Sequence, residues 1–252
     1  MRWYHQVSRA WMEERRKYLT ATDVAKLLPF TPTGRKRDVK DRQLEVWAEK
    51  QAGITDDMLV ATGAAARGHI MEPYAIEAFN DLGAMNVPIR HWDDVLIYRE
   101  ALGLAFSPDA LSLMPVAKGT ASISFDDLCD SSLCMAEVKS YAPAKHYSKA
   151  LAPKETLEER WQIATAMAVC PTIEDAYLVL FNPNCKQKLF VRRYSAKDLE
   201  KEIDTVVDVA NDYWNAAKLM RDNAVAFAYP CKITEEEIIA EQDDGFQTVN
   251  PY

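Results

Sequence analysis

Two carboxylates and a lysine carry most of the chemistry that can be read from this chain: Asp109, in Ser107-Pro108-Asp109, and the pair within Ala136-Glu137-Val138-Lys139-Ser140. Each group lies beside an apolar run that reads as a strand. Brought together at neighbouring strand ends, the two acids would hold a hard divalent cation with an ammonium next to it, the equipment for hydrolysing a phosphodiester. In Leu133-Cys134-Met135-Ala136-Glu137-Val138-Lys139 the two-residue period of a strand places Glu137 and Lys139 on one face, where they can converge on one phosphate. Taken singly, the pieces have plainer readings. An aspartate after proline is a common turn residue, and Glu-x-Lys is a common ion pair on an edge strand. Their conjunction, each pattern occurring once and in this order beside a strand, favours the site.

The elements that must position these groups follow from periodicity and capping. Trp11 to Lys17 reads as a short charged helical turn, and a helix capped by Thr20 or Thr22 buries Val24, Leu27 and Leu28 and stops before Pro29. Thr31 to Arg37 is a basic loop; Arg35, Lys36 and Arg37 read either as solvated or, against the overall acidity, as contacts to a phosphate backbone. Val39 to Ala52 is a helix with Leu44, Trp47 and Ala48 at helical spacing, and Thr62 to Leu82 is another with Glu72, Ile76 and Phe79 on one face. Pro73 either starts that helix near Met71 or kinks it. Asp94 to Tyr98 and Gly103 to Phe106 read as antiparallel strands, with Ala110 to Met114 as a third. The Ser-, Gly-, Asp- and Thr-rich interval 117–132 is expected to be a hairpin insertion with a short strand at Ser122 to Phe125.

Beyond Lys139, a short helix opens at Pro143 and a longer one from Lys154 to Val169 carries Gln162. Asp175 to Asn182 and Lys186 to Tyr194 form a hairpin, and Ser195 caps a helix from Ala196 to about Asn223 whose buried side is Leu199, Ile203, Val206, Val207, Ala210, Tyr213 and Trp214. Residues 1–223 are therefore expected to form a single domain and residues 224–252 an acidic extension. The net charge of -8 argues against a nonspecific nucleic-acid coat while leaving room for a local basic groove. There is no apolar run of about 18 residues and no secretory leader at the start, so the expected location is cytoplasmic, with no membrane contact. The five cysteines include no CxxC pair and are expected to be reduced.

At this level the sequence resembles the YqaJ-like viral recombinase (phage lambda exonuclease) family of the PD-(D/E)xK nuclease superfamily. Five ordered blocks carry the resemblance: Trp11 with Arg15 and Thr20-Ala21-Thr22-Asp23-Val24; Gly68-His69-Ile70-Met71-Glu72 with Phe79; Ser107-Pro108-Asp109; Glu137-Val138-Lys139; and Gln162-Ile163 with Met167. It implies that Asp109, Glu137 and the Val138 carbonyl bind Mg²⁺, or Mn²⁺, with Glu72 assisting directly or through water. Lys139 would orient or deprotonate the attacking water and offset the charge that develops on phosphorus. Gln162 would hold the nucleophile or a metal ligand, and Arg15 and Thr22, assisted by Thr20, would bind a 5′-terminal phosphate. Without the resemblance, Glu72 would read as a solvent-facing helix residue, Gln162 as a helix-helix contact and Arg15 as the partner of Glu14 or another surface acid. The chain departs from the pattern at Ala110, where glycine is usual and a positive-φ turn would be strained, and at Ser140-Tyr141, where Cys-Pro or Thr-Pro is common.

The expected fold is α/β and restriction-endonuclease-like, a central mixed sheet of about five strands flanked by helices. The resemblance implies 5′-to-3′ digestion of one strand of linear duplex DNA with a 5′-phosphate, leaving 3′ single strands for annealing. It also implies a ring-shaped homotrimer and a single-strand annealing partner. The rivals are a restriction-type or RecB-type nuclease of the same superfamily and a non-catalytic DNA-binding protein with a vestigial site. An iron-sulfur cluster of the RecB type needs a cysteine upstream of the metal motif, and none precedes Cys129.

Overall fold

The computed structural model describes residues 13–30, 35–52, 63–83, 88–92, 95–112, 122–124 and 133–227. The chain divides into two compact units, residues 1–217 and residues 218–252, and of the second only the end of a helix is described. The elements are helices α1 (Ala21–Leu27), α2 (Val39–Ala52) and α3 (Gly63–Asn80), strands β1 (Arg90–His91), β2 (Leu96–Arg99), β3 (Leu104–Phe106), β4 (Ala110–Leu111), β5 (Ser122–Ser124) and β6 (Leu133–Lys139), then α4 (Pro143–Leu151), α5 (Glu159–Val169), β7 (Ile173–Phe181), β8 (Leu189–Ser195) and α6 (Glu200–Phe227).

The central sheet has the order β1-β4-β6-β7-β8, with β6 and β7 parallel and the other neighbours antiparallel. Side-chain alternation along β6 and β7 builds two cores. Ala136 and Val138 on β6, with Tyr177, Val179 and Phe181 on β7, pack with Ala75, Ile76 and Phe79 of α3. Leu133 and Met135, with Ala176, Leu178 and Leu180, face the opposite way into a larger cluster with Val24 and Leu27 of α1, Ile163 and Met167 of α5 and Val206, Ala210 and Tyr213 of α6. The expected face of α6 is thus the buried one. The helix begins at Glu200, later than expected, after a 3-10 turn at Lys197–Leu199 across which the Asp198 N–H donates to Ser195 Oγ and the Ser195 N–H donates to the Asp198 carboxylate.

Several expectations need correcting. β2 and β3 pair antiparallel as read, but they form a separate three-stranded sheet, β3-β2-β5, with β5 parallel to β2. Ser122–Ser124 are the described part of the interval expected to be a hairpin, and the rest of it lies outside the described residues. The turn between β2 and β3 ends at Gly103, whose φ of 61° suits glycine and whose missing Cβ would lie 2.2 Å from the Trp214 indole nitrogen. In α2 the buried side chain is Val46, while Leu44 is 54% exposed, because the face turned inward is the one that also carries Lys50. Of the two alternatives at Pro73, a start near Met71 is excluded, since the proline lies inside α3. Lys154–Thr156 form a separate 3-10 turn, broken from α5 at Leu157, so the helix that carries Gln162 begins at Glu159. Ala110 sits in β4, paired with both Ala136 and His91, in extended backbone that accommodates a Cβ without strain.

Candidate active site

Strand pairing assembles the two halves of the motif. With Ala110 opposite Ala136 in the antiparallel β4–β6 pair, Asp109 comes level with Glu137 one residue further along. Asp109 Oδ2 accepts the backbone N–H of Val138 at 2.7 Å, and the Lys139 ammonium donates to the Glu137 carboxylate. Glu137 and Lys139 continue the face begun by Leu133 and Met135, the face covered by α5. The plain reading of an edge-strand ion pair does not survive, because β6 is interior, held between β4 and β7, and Glu137 is 7% exposed.

Glu72 comes from α3 and turns its carboxylate toward two imidazoles, with His69 Nδ1 and His91 Nε2 each 3.4 Å from one of its oxygens. His69 was within reach of sequence reasoning, since it lies three residues before Glu72 on one helix face. His91 was not, because a two-residue strand leaves no periodicity to find. Gln162 is half-buried on α5, and its side-chain amide forms no hydrogen bond with the described residues.

The electrostatics show which charge is left uncompensated. Burial would raise the Glu72 carboxyl, but hydrogen bonds from His69 and His91 outweigh it and lower the group to about 2. Asp109 moves the other way: burial, then the nearby charges of Glu137 and Glu72, push it well above the usual range, with Lys139 and the Val138 N–H only partly offsetting them. Burial alone would favour a neutral Lys139, yet Glu137 and Asp109 hold it above its ordinary value and keep it charged. An excess of buried negative charge is what a bound cation relieves. Among the described residues no group of three or more His, Cys, Asp or Glu side chains is placed to hold a metal ion, so any ion here would rest on two carboxylates with carbonyl and water oxygens. The donors present, two carboxylates at neighbouring strand ends and the Val138 carbonyl, suit an oxygen-seeking ion that keeps several waters, so the residues fit Mg²⁺ or Mn²⁺.

The expected 5′-phosphate residues form a second group. Arg15 reaches Thr20 Oγ1 at 3.5 Å, while Glu14 pairs with Lys17 instead. Thr20, not Thr22, is the N-cap of α1: it forms a capping box with Asp23, leaving Thr22 half-buried in the first turn. The backbone of Leu19 bonds both Gly103 and Ala105, bolting this segment to β3, the strand that leads to Asp109. Arg37 donates to the carbonyls of Ala25 and Lys26 at the end of α1, so its guanidinium serves as a C-terminal cap, while Arg35 and Lys36 are exposed. A shallow cleft of about 130 Å³ opens beside Ser140, which follows Lys139, and is lined by Arg67, Met71, Asn182 and Pro183 among others.

Residues 10–172 match the YqaJ-like viral recombinase domain. The chain belongs to that family. The matched span contains every residue of both groups, from Arg15 to Gln162. Among solved structures, the alkaline exonuclease LHK-Exo from Laribacter hongkongensis superposes with a TM-score of 0.61 at 19% identity, over 88% of this chain and 100% of that one. The same exonuclease in complex with dAMP gives 0.60 at 18% identity, with the same coverage. This YqaJ-like chain therefore has the fold of an exonuclease. No match is found among curated proteins. No helix among the described residues is long and apolar enough to cross a membrane.

Proposed function

We propose that this YqaJ-like chain is a Mg²⁺-dependent exonuclease, with Mn²⁺ an alternative ion, that digests one strand of linear duplex DNA from a 5′-phosphorylated end. The observation that carries the reading is the β4–β6 register, which sets Asp109 level with Glu137 and places Lys139 on the Glu137 carboxylate. Asp109, Glu137 and the Val138 carbonyl would hold the ion, with Glu72 assisting. When bound, the ion supplies positive charge at the scissile phosphate and acidifies a water. Lys139, on the Glu137 carboxylate, would orient or deprotonate the attacking water and offset the charge gathering on phosphorus. Gln162 lies on α5, the helix that covers that face of the sheet, and would orient the nucleophile. Arg15 and Thr22, beside the Thr20 cap, recognise the terminal phosphate, and Arg35 and Lys36 lie along the path of the duplex or departing strand. The dAMP held by LHK-Exo is a mononucleotide of the kind such a reaction releases. A homotrimeric ring around the duplex and a single-strand annealing partner in recombination complete the proposal.

Linear duplexes carrying 5′-phosphate or 5′-hydroxyl ends, assayed beside a closed circle, test it. The linear phosphorylated duplex is degraded fastest and the circle is spared, and Arg15→Ala narrows the preference for phosphate by about tenfold, the size of one lost charge-assisted hydrogen bond. Equal cutting of the circle would overturn the end-dependent reading.

A further inference from the structure

The loop that leaves β6 after Lys139 is fixed at one residue, Tyr141, from three directions. The Tyr141 hydroxyl donates to the Glu159 carboxylate. Its carbonyl accepts from Asn182 Nδ2 at 2.7 Å, and Asn182 is itself locked by the N–H of Asn184 on its Oδ1 at 2.9 Å. The Lys145 ammonium lies 4.3 Å from the centre of the Tyr141 ring. Glu159, only 4% exposed, also binds Lys149 of α4, at 2.9 Å and 3.1 Å to its two oxygens. These contacts join the end of β6, α4, the first residue of α5 and the end of β7.

A buried carboxylate is costly unless its partners are fixed, so this one marks a geometry that the fold holds closely. Tyr141 lies two residues after Lys139, and Glu159 lies one helical turn before Gln162 on the same face of α5. The bond between Tyr141 and Glu159 therefore spans the two elements that present the lysine and the glutamine. It stands at a position where the sequence pattern of this family commonly has proline. Proline stiffens a loop through its ring, whereas Tyr141 is held through its hydroxyl, ring and carbonyl.

We propose that Tyr141, with Glu159 and Lys149, is a positioning network that sets the separation of Lys139 from Gln162 during phosphodiester hydrolysis; this rests on the nuclease reading above. The network touches neither substrate nor ion, so its loss lowers turnover while leaving DNA binding alone. Tyr141→Phe removes one hydroxyl and is expected to lower kcat on a linear 5′-phosphorylated duplex by about tenfold, the scale of a sub-ångström displacement of a catalytic group. KM stays within about twofold because the DNA contacts are untouched. Glu159→Gln keeps an oxygen to accept from Tyr141 but gives up the charge that holds Lys149, and is expected to lower kcat by a smaller factor, about threefold. Thermal melts of each variant give the folded fraction at the assay temperature, by which kcat is corrected.

A corrected kcat for Tyr141→Phe within twofold of wild type would overturn the network's role, as would a loss expressed in KM alone. Asp109→Asn is run alongside to separate the two readings. If Asp109→Asn is inactive and Tyr141→Phe is normal, the positioning proposal fails by itself. If Asp109→Asn still degrades DNA, the nuclease reading fails and takes the network's role with it.

Discussion

Asp109→Asn is expected to reduce Mg²⁺-dependent degradation of linear duplex DNA by at least about a thousandfold while leaving the metal-free protein as stable as wild type or more so. The amide oxygen still accepts the Val138 N–H, so the local fold is preserved. What is lost is a carboxylate charge at the end of β4, level with Glu137, and with it half of the acidic pair that would hold the ion. The stability half of the result follows from linkage. Burial and the charges of Glu137 and Glu72 raise the folded-state Asp109 carboxyl, so at neutral pH the ionised group destabilises the folded chain, and removing its charge relieves that strain. Activity and stability moving in opposite directions separates a functional acid from a structural one. A parallel collapse of both, measured by DNA digestion and by thermal melting in a chelator, would mark Asp109 as a packing residue.

The second large effect concerns the clamp beneath the N-terminal block. Lys50 reaches from α2 to Asp23 at 2.9 Å and to the Tyr18 carbonyl at 2.6 Å, with its side chain 11% exposed and that of Asp23 9% exposed. Asp23 also accepts from Thr20 through both backbone and hydroxyl. Lys50→Met leaves a buried carboxylate without its counter-ion and is expected to cost about 3 kcal/mol, lowering the melting midpoint by roughly 6–12 °C for a domain of this size. The pH dependence has a definite sign. Burial would raise Asp23, but Lys50 and the bonds from Thr20 hold its carboxyl below the ordinary value of 3.8. A depressed acid stabilises the fold above its unfolded value and loses that contribution as pH falls through the folded one. The gap between wild type and Lys50→Met is therefore full at neutral pH and closes in acid below about pH 4. A gap independent of pH, in denaturant titrations at several pH values, would show that Lys50 acts through packing alone.

The central strand pair was legible in the sequence because its signals are local. Strand period alone puts Glu137 and Lys139 on one face, and the hairpin of β7 and β8 is bracketed by Asn182-Pro183-Asn184. The long face of α6 from Ile203 to Trp214 repeats often enough to be read directly. What escaped is what depends on partners distant in sequence. β1 and β4 have two residues each, too few for a pattern, and only their pairing shows that Asp109 is level with Glu137 and that His91 faces Glu72. Lys50 and Glu159 carry no local signal of burial, yet each is directed inward by a partner distant in sequence, Asp23 in one case and Tyr141 in the other. Leu44 escaped for the converse reason, since helical spacing identifies a face without saying which way it turns.

In the proposed reaction the carboxylates of Asp109 and Glu137 share one divalent cation. Crystals soaked in Mn²⁺ and measured at an anomalous wavelength test this most directly. The expected result is one strong peak within about 2.5 Å of a carboxylate oxygen from each residue, absent from crystals of Glu137→Gln. A peak on the imidazoles of His69 and His91 beside Glu72, with none at Asp109, would contradict it.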